Sequence, residues 1–164
     1  MWEVRGVRNG WAAAPQRGNP ANMGVDGRQP HVFIVNDTQE ILDLLQELLE
    51  GEGYRVTTSL ALMDLAQVKE LAPDVIVQDL LFEHVQQEGW KFLTQVRLDP
   101  ELAKVPLILC TAAVQTLKDP EMAARLEELK VRVVLKPFNI DDLLATLEDA
   151  VNERHAGIAR EAAR

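Results

Sequence analysis

Five short apolar runs, each separated from the next by residues at helical spacing, constrain this chain more than any other feature. The run His31-Val32-Phe33-Ile34-Val35 has no polar/apolar alternation, which predicts a strand covered on both faces. A stripe at Ile41, Leu44, Leu45, Leu48 and Leu49 predicts a helix that ends at Gly51 and Gly53. Tyr54–Thr58 reads as a second strand and 60–71 as a second helix, with Leu62, Leu65 and Val68 on one side before Pro73. Asp74–Asp79 reads as a third strand and Gly89–Arg97 as a helix. Residues 106–110 form a fourth strand, and 113–129 a helix interrupted or restarted near Pro120. Val131–Leu135 is the fifth strand. Asn139 can cap a last helix that turns Ile140, Leu143, Leu144, Leu147 and Val151 inward. Strict alternation of five strands and five helices implies an α/β fold: a parallel sheet with helices on both faces.

The chain has 164 residues, enough for one ordinary domain with tails. Residues 1–30 hold five Gly, three Pro and no hydrophobic period, so they predict a disordered leader, and Met23 is a candidate start of translation. The domain is expected over 31–153, followed by a polar C-terminal tail over 154–164. A net charge of −9 is unevenly spread: 31–153 carries 23 acids and 10 bases. An acidic body argues against nucleic-acid partners, which need a basic face, and disfavours an anionic membrane surface. No apolar run approaches the roughly 20 residues of a membrane span, and the start lacks the apolar core of a signal peptide. A cytoplasmic location is expected. The single cysteine, Cys110, excludes an internal disulfide and reads as packing.

In parallel α/β sheets, ligands bind beyond the carboxyl ends of the strands. There the chain places Asn36-Asp37-Thr38, Asp79, Thr111-Ala112 and Lys136-Pro137-Phe138. Two carboxylates suit Mg²⁺, a hard cation that prefers oxygen and retains waters. A carboxylate can also accept a phosphoryl group as a nucleophile, while an ammonium and a hydroxyl orient the phosphoryl oxygens.

Those four strand ends, in that order, resemble the receiver domain of two-component response regulators. The likeness rests on Val35-Asn36-Asp37, on Asp79, on Leu109-Cys110-Thr111-Ala112 and on Val134-Leu135-Lys136-Pro137-Phe138, and it covers residues 31–153. It implies a doubly wound (βα)5 flavodoxin-like three-layer sandwich with strand order 2-1-3-4-5. It implies that Asp79 is the phosphoacceptor, charged by a histidine kinase or phosphotransfer protein. Mg²⁺ would be held by Asp37, Asp79 and the backbone carbonyl of Leu81, with Asn36 reaching it through water. Thr111 and Lys136 would contact the phosphoryl group, and Ala112 and Pro137 would shape the site. Apart from phosphoryl transfer to Asp79 and slow autodephosphorylation, no enzymatic activity is implied. The region of helix 4, strand 5 and helix 5 would serve homodimers or a downstream effector.

Several positions depart from the family pattern. Asn36 stands where a second acid is usual, which predicts weaker Mg²⁺ affinity. The loop Leu80–Gly89 lacks the usual Pro, has Glu88 in place of Asp, and is about two residues longer. Val133 replaces the aromatic that reports activation. Leu81 and Ala113 are apolar where side chains tune autodephosphorylation, which predicts a long-lived phosphoryl group.

Plainer roles compete with these. Asp37-Thr38-Gln39-Glu40 fits a capping box, Thr111 could cap a helix, and His84 fits a solvated loop. Three functions follow. One is a phosphorylated receiver signalling through a separate partner. A second is a receiver-like interaction module that works without phosphorylation. The third is a small haloacid-dehalogenase-like phosphatase, disfavoured because Leu81 stands where its second Asp would be.

Overall fold

A computed structural model describes residues 27–79, 86–112, 114–136 and 139–164. The strands are β1 (His31–Val35), β2 (Arg55–Ser59), β3 (Val75–Asp79), β4 (Leu107–Thr111) and β5 (Val131–Leu135). The helices are α1 (Gln39–Gly51), α2 (Leu65–Leu71), α3 (Gln86–Leu98), α4 (Val114–Lys118), α5 (Pro120–Glu128) and α6 (Ile140–Ala162). All strand pairs are parallel and the order is β2-β1-β3-β4-β5. This is the flavodoxin-like architecture implied by the resemblance. The fourth helix of the expected five is divided into α4 and α5, which lie in the same crossover between β4 and β5.

Every residue of β1, β3 and β4 is buried, which explains why their apolar residues run consecutively rather than alternating. Alternate residues feed two cores. Val32, Ile34, Val75, Val77, Ile108 and Cys110 face one side with α1 and α6 residues Leu42, Leu45, Leu143 and Leu147. Phe33, Val35, Ile76, Leu107 and Leu109 face the other with Val68 of α2, Leu93 of α3 and Leu126 of α5. The edge strands β2 and β5 are only partly covered. Trp90 and Phe92 are both buried, so neither forms an exposed edge of α3.

Local chemistry explains where the element boundaries differ from expectation. Helix α2 starts at Leu65 rather than 60 because Asp64 forms a capping box with Gln67. The break within 113–129 falls at Asp119, which accepts from the backbone N–H groups of Glu121 and Met122, with Pro120 at the first helical position. In α1 the buried stripe is Leu42, Leu45 and Leu49, whereas Ile41, Leu44 and Leu48 are exposed. The apolar arc of this helix is wider than the sheet can cover, and the predicted stripe mixed its covered and uncovered edges. The segment 154–164, expected as a tail, continues α6 to Ala162. Pro30, expected in the leader, is buried, and its carbonyl accepts from Arg55 N at 2.9 Å.

Polar groups tie the opposite end of the sheet from the strand tips discussed below. His31 is buried there. Its Nδ1 lies 2.9 Å from the Leu71 carbonyl, which can only accept, so the neutral ring carries its proton on Nδ1. Its Nε2 then accepts from the Thr57 hydroxyl at 2.7 Å. Burial and the nearby Arg55 charge lower the pKa of His31 and favour this neutral form.

Candidate functional site

Asp79 ends β3, in register with Cys110 of β4, and its side chain is almost fully buried. Its position follows from the sequence: the buried run Val75–Gln78 carries the strand to the carboxyl edge, and the next residue is an acid. One carboxylate oxygen, Oδ2, accepts from Asn36 Nδ2 at 2.8 Å and from Lys136 Nζ in an ion pair. Asn36 follows β1, and its backbone N–H donates to Ser59 O at 3.1 Å, fixing it against β2. Lys136 follows β5, and its N–H donates to the Thr111 carbonyl at 2.9 Å, which fixes the ends of β4 and β5 together. Thr111 is buried one residue beyond the partner of Asp79.

Asp79, Asn36, Thr111 and Lys136 are therefore brought together from four different strand ends. Asp37 lies next to Asn36 but is exposed, and its Oδ1 accepts from the Thr38 hydroxyl at 3.2 Å. It does not cap α1. The N-cap is Thr38, whose backbone N–H donates to Asn36 Oδ1 at 2.8 Å. Asn36 thus uses both ends of its amide, holding the helix start with oxygen and Asp79 with nitrogen. Ala112 is exposed just past β4. Leu81, His84, Ala113, Pro137, Phe138 and Met23 lie outside the described residues.

No group of three or more His, Cys, Asp or Glu that could hold a metal occurs among the described residues. Among the described residues, this edge carries the Asp79 and Asp37 carboxylates, the Thr111 hydroxyl and the Asn36 amide, whose oxygen already accepts from the Thr38 backbone N–H. An all-oxygen set with few protein ligands fits Mg²⁺, which retains several waters. Cys110 adds no nucleophile, because burial pushes its thiol up to about 12 and keeps it protonated.

Gln78 is a feature that sequence reading passed over as one more strand residue. It is fully buried, and neither its amide nitrogen nor its amide oxygen has a hydrogen-bond partner. A lone Gln within an otherwise apolar strand was the available signal. Leaving such a group unpaired costs about 1–3 kcal/mol. Gln78→Met keeps the volume and removes the amide. It is expected to stabilise the protein by about 1 kcal/mol or more, read as a higher urea midpoint at unchanged m-value. A lower midpoint would show that the amide is bonded in solution.

A parallel sheet of this order, with an acid, an amide, a hydroxyl and an ammonium meeting at its carboxyl edge, defines a class. Residues 32–148 match the response regulator receiver domain, so the chain belongs to that family. Members of the family are generally signalling modules rather than enzymes. The phosphate regulon transcriptional regulatory protein PhoB of Rhizobium meliloti (strain 1021) is 29% identical over 121 residues, covering 73% of this chain and 51% of PhoB. The response regulator SaeR of Staphylococcus aureus (strain USA300) is 29% identical over 85 residues, covering 52% of this chain and 36% of SaeR. The chain therefore matches about half or less of these relatives' length. Among solved structures, the chemotaxis protein CheY4 of Vibrio cholerae superposes with a TM-score of 0.61 at 25% identity, covering 74% of this chain and 98% of CheY4. Among the described residues, no helix is long and apolar enough to cross a membrane.

Proposed function

We propose that this chain is a phosphoacceptor receiver, with Asp79 the residue that takes the phosphoryl group from a histidine kinase or phosphotransfer protein. The observation that carries this is the buried Asp79 carboxylate, held by Lys136 and Asn36 at the carboxyl edge of the sheet. An Asp79 oxygen attacks phosphorus, forming the P–O bond as the donor's P–N bond breaks. The electron pair of that bond returns to the donor imidazole. Lys136, paired with Asp79, would meet charge on the phosphoryl oxygens, and the Thr111 hydroxyl at the end of β4 would give them a hydrogen-bond donor. Mg²⁺ would be held by Asp37, Asp79 and the backbone carbonyl of Leu81, with Asn36 reaching it through water, and it would neutralise phosphoryl charge. Exposed Val133 and Leu135 on β5 offer a face for a second copy or for an effector. The acidic body leaves nucleic acid an unsuitable direct partner.

The test is incubation with acetyl phosphate and Mg²⁺ followed by phosphate-affinity electrophoresis. A retarded band that is absent from Asp79→Asn supports the proposal. No retardation with any donor would favour the second function, a phosphorylation-independent interaction module. The residues that favour that alternative are Asn36, where a second acid is usual in the family, and Val133, where an aromatic is usual. Asn36→Asp is expected to tighten Mg²⁺ binding on the order of tenfold, because it restores a negative charge beside Asp79. Equal affinity in a Mg²⁺ titration would show that the amide costs the site nothing.

A further inference from the structure

We infer that the end of the domain opposite Asp79 holds a second site, a cationic cleft that binds a small ligand carrying two or more phosphate groups. The cleft has a volume of about 470 Å³, within the range of roughly 300–1,000 Å³ typical of small-molecule sites. One wall is the part of α6 beyond residue 153. The other is formed where β4 and β5 begin, by Pro106, Lys130 and Arg132.

Its charge is opposite to that of the chain. The lining holds six Lys or Arg against three Glu, in a protein of net charge −9. Two of the three glutamates are already committed. Glu153 pairs with Arg132 and Glu161 pairs with Lys104, and both pairs strap α6 to the body. Arg97, Lys130, Arg154 and Arg160 remain, opposed among the lining residues by Glu128 alone. Arg154 has its Nε buried without a hydrogen-bond acceptor. A guanidinium N–H withdrawn from water calls for an anionic oxygen, and phosphate suits the guanidinium fork. The crowding of positive charge registers at Arg97, whose pKa is lowered by burial and by neighbouring Arg132.

The cleft also has room at its helical wall. A Cβ placed on Gly157 would meet nothing within 4 Å. A mid-helix glycine is a poor choice for stability, and here it leaves space where a side chain would project into the cleft. A surplus of three cations matches an oligophosphate better than a single carboxylate. The size admits a nucleoside di- or triphosphate.

The test is calorimetric titration of the full chain with ATP, pyrophosphate and adenosine, at low salt and without divalent cations. Saturable binding of ATP and pyrophosphate tighter than roughly 1 mM is expected, weakening as salt screens the charges. Arg154→Ala and Arg160→Ala should each weaken it about tenfold. Gly157→Leu should abolish it while retaining the fold, since Leu is the better helix former. Asp79→Asn should leave it unchanged, which separates this site from the one proposed for phosphorylation. The inference is overturned if neither phosphate probe binds with a Kd below roughly 1 mM, if adenosine binds and pyrophosphate does not, or if Gly157→Leu binds as well as wild type.

Discussion

In a phosphoryl-uptake assay, Asp79→Asn is expected to show no labelling and Lys136→Ala to label on the order of a hundredfold more slowly than wild type. In urea unfolding the order is expected to reverse, with Lys136→Ala the less stable of the two. Both results come from one ion pair. In the proposed reaction Asp79 supplies the attacking oxygen, so its loss should be absolute. Lys136 would supply charge stabilisation, and removing one such donor from a transition state slows a reaction without stopping it. Stability depends instead on which partner is stranded. The Asp79 side chain is 4% exposed and the Lys136 side chain 20%. With Lys136 gone, a buried carboxylate still accepts from the Asn36 amide at Oδ2 but has lost its cation, a cost of about 3 kcal/mol. With Asp79 exchanged for Asn, the charge itself disappears and the lysine can turn to water. Equal stability of the two variants would mean that Asp79 is hydrated in solution.

Local pattern revealed the fold because each strand that mattered was buried on both faces. Runs such as Val32–Val35 and Leu107–Cys110 have no amphipathic alternative. The site was legible for the same reason, since a polar residue ending such a run has to stand at the sheet edge. Pairings across strands were not legible. That the Asn36 amide would bond Asp79 directly, a contact 43 residues apart in sequence, could not be read from the chain. A lone Gln in an apolar strand hinted at Gln78, but only the packed structure shows both amide atoms without a partner. The α1 stripe was misplaced by one helical row. Periodicity locates an apolar arc but does not say how much of it the sheet covers.

Arg97 was read as the last residue of a helix, and its substitution is expected to give the largest stability loss of those considered. Its guanidinium donates to four backbone carbonyls: Leu129 at 2.6 Å, Ala103 at 3.1 Å, Val105 at 2.5 Å and Lys130 at 3.4 Å. Those carbonyls belong to the turns that lead into β4 and β5. One side chain therefore holds the C-terminal end of α3 to the starts of two strands. Arg97→Ala leaves several partly buried carbonyls unpaired, at a cost of about 3–5 kcal/mol in denaturant unfolding. Arg97→Lys should recover little of it, because a single ammonium cannot reach acceptors spread around a planar fork. A full rescue by Lys would mean that charge alone, not the fork, holds the turns. Thr111 and Lys136 lie at the far ends of the strands whose starts Arg97 anchors. Uptake of phosphoryl groups per folded molecule should therefore stay within about twofold of wild type. A parallel drop in uptake would instead show that the base of the sheet sets the geometry of its carboxyl edge.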